Sequence, residues 1–230
     1  MQGDPVRLVY VARTTRMKLL IYEFLGGSKP MKKIVLKLVA VSTLALSLVA
    51  ITAPQSKANA ATTHQVKTGD TFWKIGKKYG VPVKSLMSTN KKTSHLLLVG
   101  EKLVIPQNVT NAEMDLLARL VHAEAKGEPY AGKVAVASVV LNRVDSSLFP
   151  NDIKSVIYQK DQGYYAFTPV QNGAINQPAD ASAKEAVKEA LAFRGMGNGS
   201  LYFYNPKTAK STWITSREVT IIIGNHRFAK

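Results

Sequence analysis

The 230-residue chain contains no cysteine. Disulfides, thiol nucleophiles and cysteine-ligated zinc are therefore excluded. Histidine is almost as scarce: His64, His95, His122 and His226 are scattered singly, without a His-Glu-x-x-His pattern. A zinc peptidase or zinc amidase is poorly supported on that ground. A Ser/His/Asp triad lacks its nucleophile motif as well. Acidic residues are few, 15 against 31 basic ones, for a formal charge of +16. Such a balance suits an anionic partner. No recognition motif for nucleic acid is present, so an anionic polymer outside the cell is the expected partner. The composition calls for no metal and no cofactor.

Residues 31–60 carry an address. A basic start (Lys32, Lys33, Lys37) leads into an apolar stretch from about Leu38 to Ile51, and Ala58-Asn59-Ala60 closes it. These are the three parts of a secretory signal peptide. The apolar run is short for a membrane span of ~20 residues, so contact with the membrane is expected only during export. Met31 is then the natural start, and residues 1–30 read as a mis-called upstream extension. Cleavage before Ala61 leaves 170 residues at net +9, enough for one ordinary domain and a small module. The expected location is outside the cell, at the wall.

Residues 64–106 form the small module. His64 to Lys67 reads as a strand and Thr68-Gly69-Asp70 as a turn. Phe72, Ile75 and Tyr79 recur at helical spacing, with Asp70 as the expected N-cap. Gly80 ends that helix, Val83 to Ser88 forms a second, and Leu103-Val104-Ile105 is a closing strand. The order is strand, helix, helix, strand. With Val66, Gly69-Asp70-Thr71, Ile75, Leu86, Asn90, Gly100 and Ile105-Pro106 in place, the segment resembles a LysM domain, departing from the pattern at Phe72 and Gly76. The resemblance implies binding of N-acetylglucosamine-containing glycan between two loops, here Gly69 to Phe72 and about Asn90 to Leu98. Gly69, Asp70, Thr71 and Asn90 are the candidate contacts, although Asp70 and Asn90 equally suit capping and turns. Eight lysines give this module a charge of +6, a solvated face that adds diffuse attraction to a polyanion. Gln107-Asn108-Val109 is a minimal linker, expected to act as a hinge.

The second domain spans 110–230. Thr110-x-x-Glu113 is a capping box at the head of a helix. Along that helix Met114, Leu117, Leu120, Val121 and Glu124 recur at spacings of three and four, on one stripe. The pattern carries a carboxylate onto the helix's own apolar face, with Gly127 and Pro129 ending the segment. A carboxyl held against apolar surface resists ionisation, as a general acid at neutral pH requires. Ala131 to Val144 is apolar nearly all round and so central. Asn151 to Gln159 and Asp180 to Phe193 are further helices. Leu201–Tyr204, Val219–Ile223 and a segment near Phe228 are strands. The expected class is α+β: a small βααβ module followed by a mainly helical domain with a small sheet.

Aromatic and hydrogen-bonding clusters interrupt this frame at Phe167-Thr168-Pro169, Tyr204-Asn205-Pro206 and Ser211-Thr212-Trp213. With Glu124-Ala125-Lys126-Gly127-Glu128-Pro129, Leu141-Asn142-Arg143-Val144, Arg217 and Gly224-x-His226-x-Phe228, the domain resembles the SleB/CwlJ-type cell-wall hydrolases of spore-cortex lysis. That resemblance implies a lysozyme-related fold and cleavage of peptidoglycan by a lytic transglycosylase route. One carboxyl suffices for this route, first as acid and then as base. Glu124 is the principal candidate and Glu128 the rival or supporting carboxylate. Thr168 and Asn205 are candidate sugar contacts, and Tyr204 and Trp213 candidate subsite walls. The alternatives are an amidase acting on the same polymer and a non-catalytic wall-binding protein.

Overall fold

A computed structural model describes residues 61–107 and 109–230. The expected leader and upstream extension lie outside the described residues. The first module begins with β1 (Thr63–Gln65), followed by α1 (Phe72–Tyr79) and α2 (Val83–Thr89), and ends with β2 (Lys102–Val104). The two strands pair antiparallel, His64 opposite Leu103. Phe72, Ile75, Leu86 and Leu103 are almost wholly buried between them and the helices. Asp70 is not the N-cap. Thr71 is, with an extended backbone and a side chain that accepts from Lys74 N. Asp70 sits one residue too early, and its carboxylate is occupied by Lys67 N and His64 Nε2, both at 2.8 Å.

The larger domain is built on six helices and a hairpin-bearing sheet. α3 (Asn111–Glu124) opens with the capping box, Thr110 and Glu113 bonding each other's backbone reciprocally. It ends at Glu124, earlier than its sequence pattern suggests, because the backbone leaves helical geometry at Ala125. α4 (Tyr130–Asp145) is the central helix, burying Val136, Ala137, Val139, Val140 and Leu141. α5 (Ile153–Ile157) is shorter than predicted and is capped by Asp152. A small hairpin, β3 (Lys160–Asp161) and β4 (Tyr164–Tyr165), precedes α6 (Thr168–Gln171) and a single 3₁₀ turn, Ala174–Asn176. α7 (Ala181–Phe193) presents Ala183, Ala186, Val187, Ala190 and Leu191 to the core, and packs on both α3 and α4. Small side chains on that face let the three helices approach closely.

The sheet contains β5 (Tyr202–Tyr204), β6 (Val219–Ile223) and β7 (His226–Ala229), in the order β5-β7-β6 and antiparallel throughout. Between β5 and β6 lies a one-turn helix, α8 (Thr212–Thr215). Phe228 on the middle strand faces the helical core and is 1% exposed. No helix among the described residues is long and apolar enough to cross a membrane.

The linker joins two bodies that are packed together rather than hinged. α1 lies against α7. Lys77 Nζ reaches Glu189 Oε2 at 2.5 Å, and Tyr130 Oη donates to the same oxygen at 2.9 Å. The Lys77 ammonium also lies over the rings of Trp73 and Tyr130. Lys84 Nζ donates to Gly195 O at 2.6 Å. Gly76, one of the two departures from the LysM pattern, has a local reason: a Cβ there would stand 2.9 Å from Val81 O and 3.5 Å from Ala192 Cβ across the contact. The hydrogen bond it donates to Glu189 holds the Lys77 ammonium above the usual lysine range. Because both charges are largely covered, reversing either one leaves two like charges together. Lys77→Glu and Glu189→Lys are each expected to lower stability by about 1–2 kcal/mol, and the double reversal to recover most of the loss. Denaturant melts of the four proteins check this.

Candidate active site

Glu124 is the last residue of α3, where the helix has delivered it beside the buried Leu120 and Val121. Its side chain is half-buried. Among the described residues nothing donates a hydrogen bond to its carboxyl and no cation lies within 4 Å of it. Burial raises Glu124 to about 7, while Arg143 on α4 acts in the opposite direction. Close to neutral pH the group therefore exists in both protonation states, which suits it to give a proton and to take one back.

Arg143 is itself buried and only 8% exposed. Its Nε donates to Leu201 O at 2.8 Å. Its guanidinium lies over three rings, 5.0 Å from Phe149, 5.0 Å from Phe167 and 5.6 Å from Tyr202. Burial lowers it to about 10, with Tyr202 and Glu124 acting against that fall. It remains a cation at neutral pH. Tyr202 continues the aromatic surface outward, edge-on to the half-exposed Trp213 at 5.1 Å. Arg217 lies over both rings.

Glu128 plays a different part. It lies in the loop after α3, and its side chain is 7% exposed. Asn225 N donates to Oε2 at 2.9 Å and Asn225 Nδ2 to Oε1 at 3.1 Å. The carboxylate thus ties the loop that follows Glu124 to the β6–β7 turn. Gly224 makes this approach possible: its φ is +57°, and an added Cβ would overlap Glu128 Oε2. His226 Nδ1 stands 3.9 Å from Glu128 Oε1, too far for a hydrogen bond, and the ring packs edge-on to Phe203 and Phe228.

The remaining candidates separate into two groups. Tyr204 is 7% exposed, and its buried hydroxyl has no partner among the described residues. Asn205 shapes a turn: its Oδ1 accepts from Lys207 N, and its carbonyl accepts from Thr208 N and Ala209 N. Thr168 is exposed at the start of α6, directly after Phe167 of the Arg143 cage. In the first module, Gly69 is exposed with φ +83°, and Thr71 is spent on its cap. The Asn90 amide is fully used, donating to Leu86 O and Val104 O and accepting from Val104 N, each at 2.8 Å. It pins β2 to α2, so its contribution to the groove is shape. Sequence reasoning missed the Arg143 cage and the Asn225 clamp. The motif residues Arg143 and Gly224-x-His226 were their only signal.

A separate cavity of about 370 Å³ lies among α4, α7, the 193–200 loop and β6. Its walls are mostly small and apolar, including Ala131, Val134, Ala135, Ile221 and Ile223, and Glu124 does not line it. Among the described residues, no cluster of three or more His, Asp or Glu is placed to hold a metal ion.

The geometry generates two predictions. A carboxyl raised by burial costs the fold nothing below its unfolded value near 4.5, and lowers stability progressively as pH rises toward 7. Glu124→Gln is therefore expected to match the parent near pH 4 and to exceed it at pH 8 by on the order of 1–3 kcal/mol. Thermal melts across pH test it. Gly224→Ala, in contrast, forces a strained φ and displaces Glu128; a loss of about 2–3 kcal/mol is expected in the same assay.

Comparison with known proteins agrees with this architecture. The Cell Wall Hydrolase family model matches residues 127–229, and the LysM domain model matches residues 64–106. The spore cortex-lytic enzyme of Bacillus subtilis is 41% identical over 126 residues, 55% of this chain and 40% of that protein. The enzyme of the same description from Halalkalibacterium halodurans is 41% identical over 124 residues, 54% of this chain and 36% of that protein. The chain thus spans about two fifths of the length of these curated relatives. The solved catalytic domain of the germination-specific lytic transglycosylase SleB from Bacillus anthracis is 40% identical; the match covers 55% of this chain and all of that one, with a TM-score of 0.50. The chain belongs to the SleB-type cell wall hydrolases, and it carries a LysM domain ahead of the hydrolase domain.

Proposed function

We propose that the protein cleaves the glycan strand of peptidoglycan as a lytic transglycosylase, with Glu124 as its acid and base, and that the LysM module holds it on the polymer. The observation that carries this reading is a half-buried carboxyl at the end of α3, raised by burial to about 7 and given no hydrogen bond by any of the described residues. A glycosidase that adds water uses two carboxyls, about 5–5.5 Å apart for retention and about 6.5–9.5 Å for inversion. Here the obvious second one, Glu128, is bound at both oxygens by Asn225.

The route asks little more of the chain. Protonated Glu124 gives its proton to the glycosidic oxygen between N-acetylmuramic acid and N-acetylglucosamine. The C1–oxygen bond breaks, and its electron pair leaves with that oxygen. The Glu124 carboxylate then takes the proton of the C6 hydroxyl as O6 bonds to C1, giving the 1,6-anhydro sugar and restoring the acid. The exposed Trp213 ring, braced edge-on by Tyr202, offers an aromatic face on which a sugar ring can lie. Thr168, Tyr204 and Asn205 border this region in the proposal, the last two chiefly as shape.

The basic LysM module adds a local concentration effect without touching the chemistry. Its exposed Gly69 backbone and the 90–98 loop are the proposed glycan contacts. Export through residues 31–60 and action in the vegetative wall or the spore cortex complete the reading. The family and the described names of its relatives support it.

Digestion of purified peptidoglycan and of spore cortex, read by mass spectrometry, tests the proposal. The expected products carry anhydromuramic ends, and Glu124→Gln is expected to lower their rate by at least about 10³-fold. Hydrated reducing ends would mean a muramidase or glucosaminidase, and newly freed peptide amines an amidase. Binding without cleavage would mean a wall-binding protein.

A further inference from the structure

Arg217 belongs to the sequence motif but takes no part in the route proposed above. It follows Trp213 by four residues, just past the single turn of α8, so the two side chains emerge on one side. The guanidinium lies over the Trp213 ring, 4.7 Å from its centroid, and over Tyr202 of β5 at 5.2 Å. Tyr202 meets Trp213 edge-on at 5.1 Å. The three groups are thus mutual neighbours.

Three other arginines of the domain spend N–H groups within the protein. Arg119 and Arg194 each face an aspartate, and Arg143 donates to Leu201 O. Arg217 is held by ring faces alone. Among the described residues its side chain makes no hydrogen bond, and no carboxylate lies within 4 Å of it. Its Nε is buried without a partner, while its terminal nitrogens reach the surface. Stacking occupies the flat faces of a guanidinium and leaves its in-plane donors unused. Arg217 therefore presents a fixed, unpaired cation beside an indole that is 53% exposed. The surrounding stretch 201–230 carries five basic residues and a single acid, Glu218, a balance that attracts anions.

We propose that Trp213 and Arg217 form a binding site for an acidic sugar, the indole taking the sugar ring and the guanidinium the carboxylate. The ligand is a muramyl unit of the glycan, a choice of sugar that rests on the function proposed above. The acid of such a unit hangs from C3 of the ring through a short lactyl ether. It is either free or joined to a peptide that carries its own carboxylate. Sugar and acid then need adjacent partners, a ring face and a planar cation, which the 4.7 Å spacing supplies. A phosphate would satisfy the cation equally but has no use for the exposed indole.

The test is an NMR titration of the full chain that follows the Arg217 Nε–H and Trp213 Nε1–H signals, which separates this site from whatever the LysM module binds. Arg217→Lys and Trp213→Phe assign the two signals. The probes are N-acetylglucosaminyl-N-acetylmuramic acid, the same disaccharide bearing one L-alanine, the methyl ester of each, and inorganic phosphate. None contains the muramyl–glucosaminyl bond proposed for cleavage, so binding is read apart from reaction. Both signals are expected to move with the acids, and at least one acid to bind about 10-fold more tightly than its ester. Arg217→Gln is expected to abolish that preference and Arg217→Lys to keep part of it. Preference for the free disaccharide acid identifies the lactyl carboxylate, and preference for the alanyl acid the peptide's.

Equal binding of acids and esters overturns the proposal, as does a preference that survives in Arg217→Gln. Phosphate moving the Arg217 signal as strongly as either sugar, with Trp213 unmoved, means an unselective anion site and overturns it too. So does the absence of movement with every probe. If Arg217→Gln does not fold, the acid–ester comparison in the parent and in Arg217→Lys decides. The functional reading fails separately: Glu124→Gln digesting peptidoglycan like the parent refutes the acid assignment and leaves these titrations unaffected.

Discussion

A guanidinium enclosed by aromatic rings holds the two halves of the larger domain together. Arg143 leaves the central helix and bonds the backbone at Leu201, just before the first strand of the sheet. Its ring contacts gather Phe149 from the segment before α5, Phe167 from the edge of α6 and Tyr202 from β5. These segments are far apart in sequence and contain too little regular structure to position one another. A delocalised, weakly hydrated cation can be buried among ring faces, whereas an ammonium resists losing its water. The helical core and the sheet therefore meet around a charge as well as across the apolar contact of Phe228 and Ile223.

The second tie is electrostatic too, and its sign is opposite. Glu128 accepts two hydrogen bonds from Asn225, so the loop that follows Glu124 out of α3 is fixed against the β6–β7 turn. Glu124 thus stands between two fixed points, a helix end on one side and a clamped loop on the other. A carboxyl proposed both to release and to recover a proton gains from such fixity, because a displacement of about 1 Å costs heavily in rate. The two glutamates share a motif and differ in role because one is satisfied by hydrogen bonds and the other is not.

Much of this was legible in the chain. The helical spacing of Leu117, Leu120, Val121 and Glu124 placed the carboxyl on its apolar stripe, and the capping box located the head of α3. The apolar run of α4 declared a central helix, and Val219–Ile223 a strand. Legibility failed where the causes are remote or the elements short. The β3–β4 hairpin, α6 and α8 have two to four residues each, too few to set up a period. The N-cap at Thr71 was misplaced because His64, six residues earlier, claims the Asp70 carboxylate. Asn90 suited a turn and a glycan contact alike, and the bonds of its amide to Val104, 14 residues on, lie outside any local pattern. The partner of Glu128 lies 97 residues away, and no local pattern announces it.

The seam between the LysM module and α7 bears on how such proteins are assembled from parts. Modules of this kind are commonly treated as interchangeable beads, to be swapped when an enzyme is redirected to another polymer. Here the bead has a cut face. Trp73 rests on Phe193, and Lys77 fits a site prepared for it by Glu189 and Tyr130. A foreign module grafted at Val109 would leave the apolar side of α7 uncovered and Glu189 without its counter-charge. Chimeras of this chain therefore have to carry the α1 surface with them, or redesign α7 to stand alone.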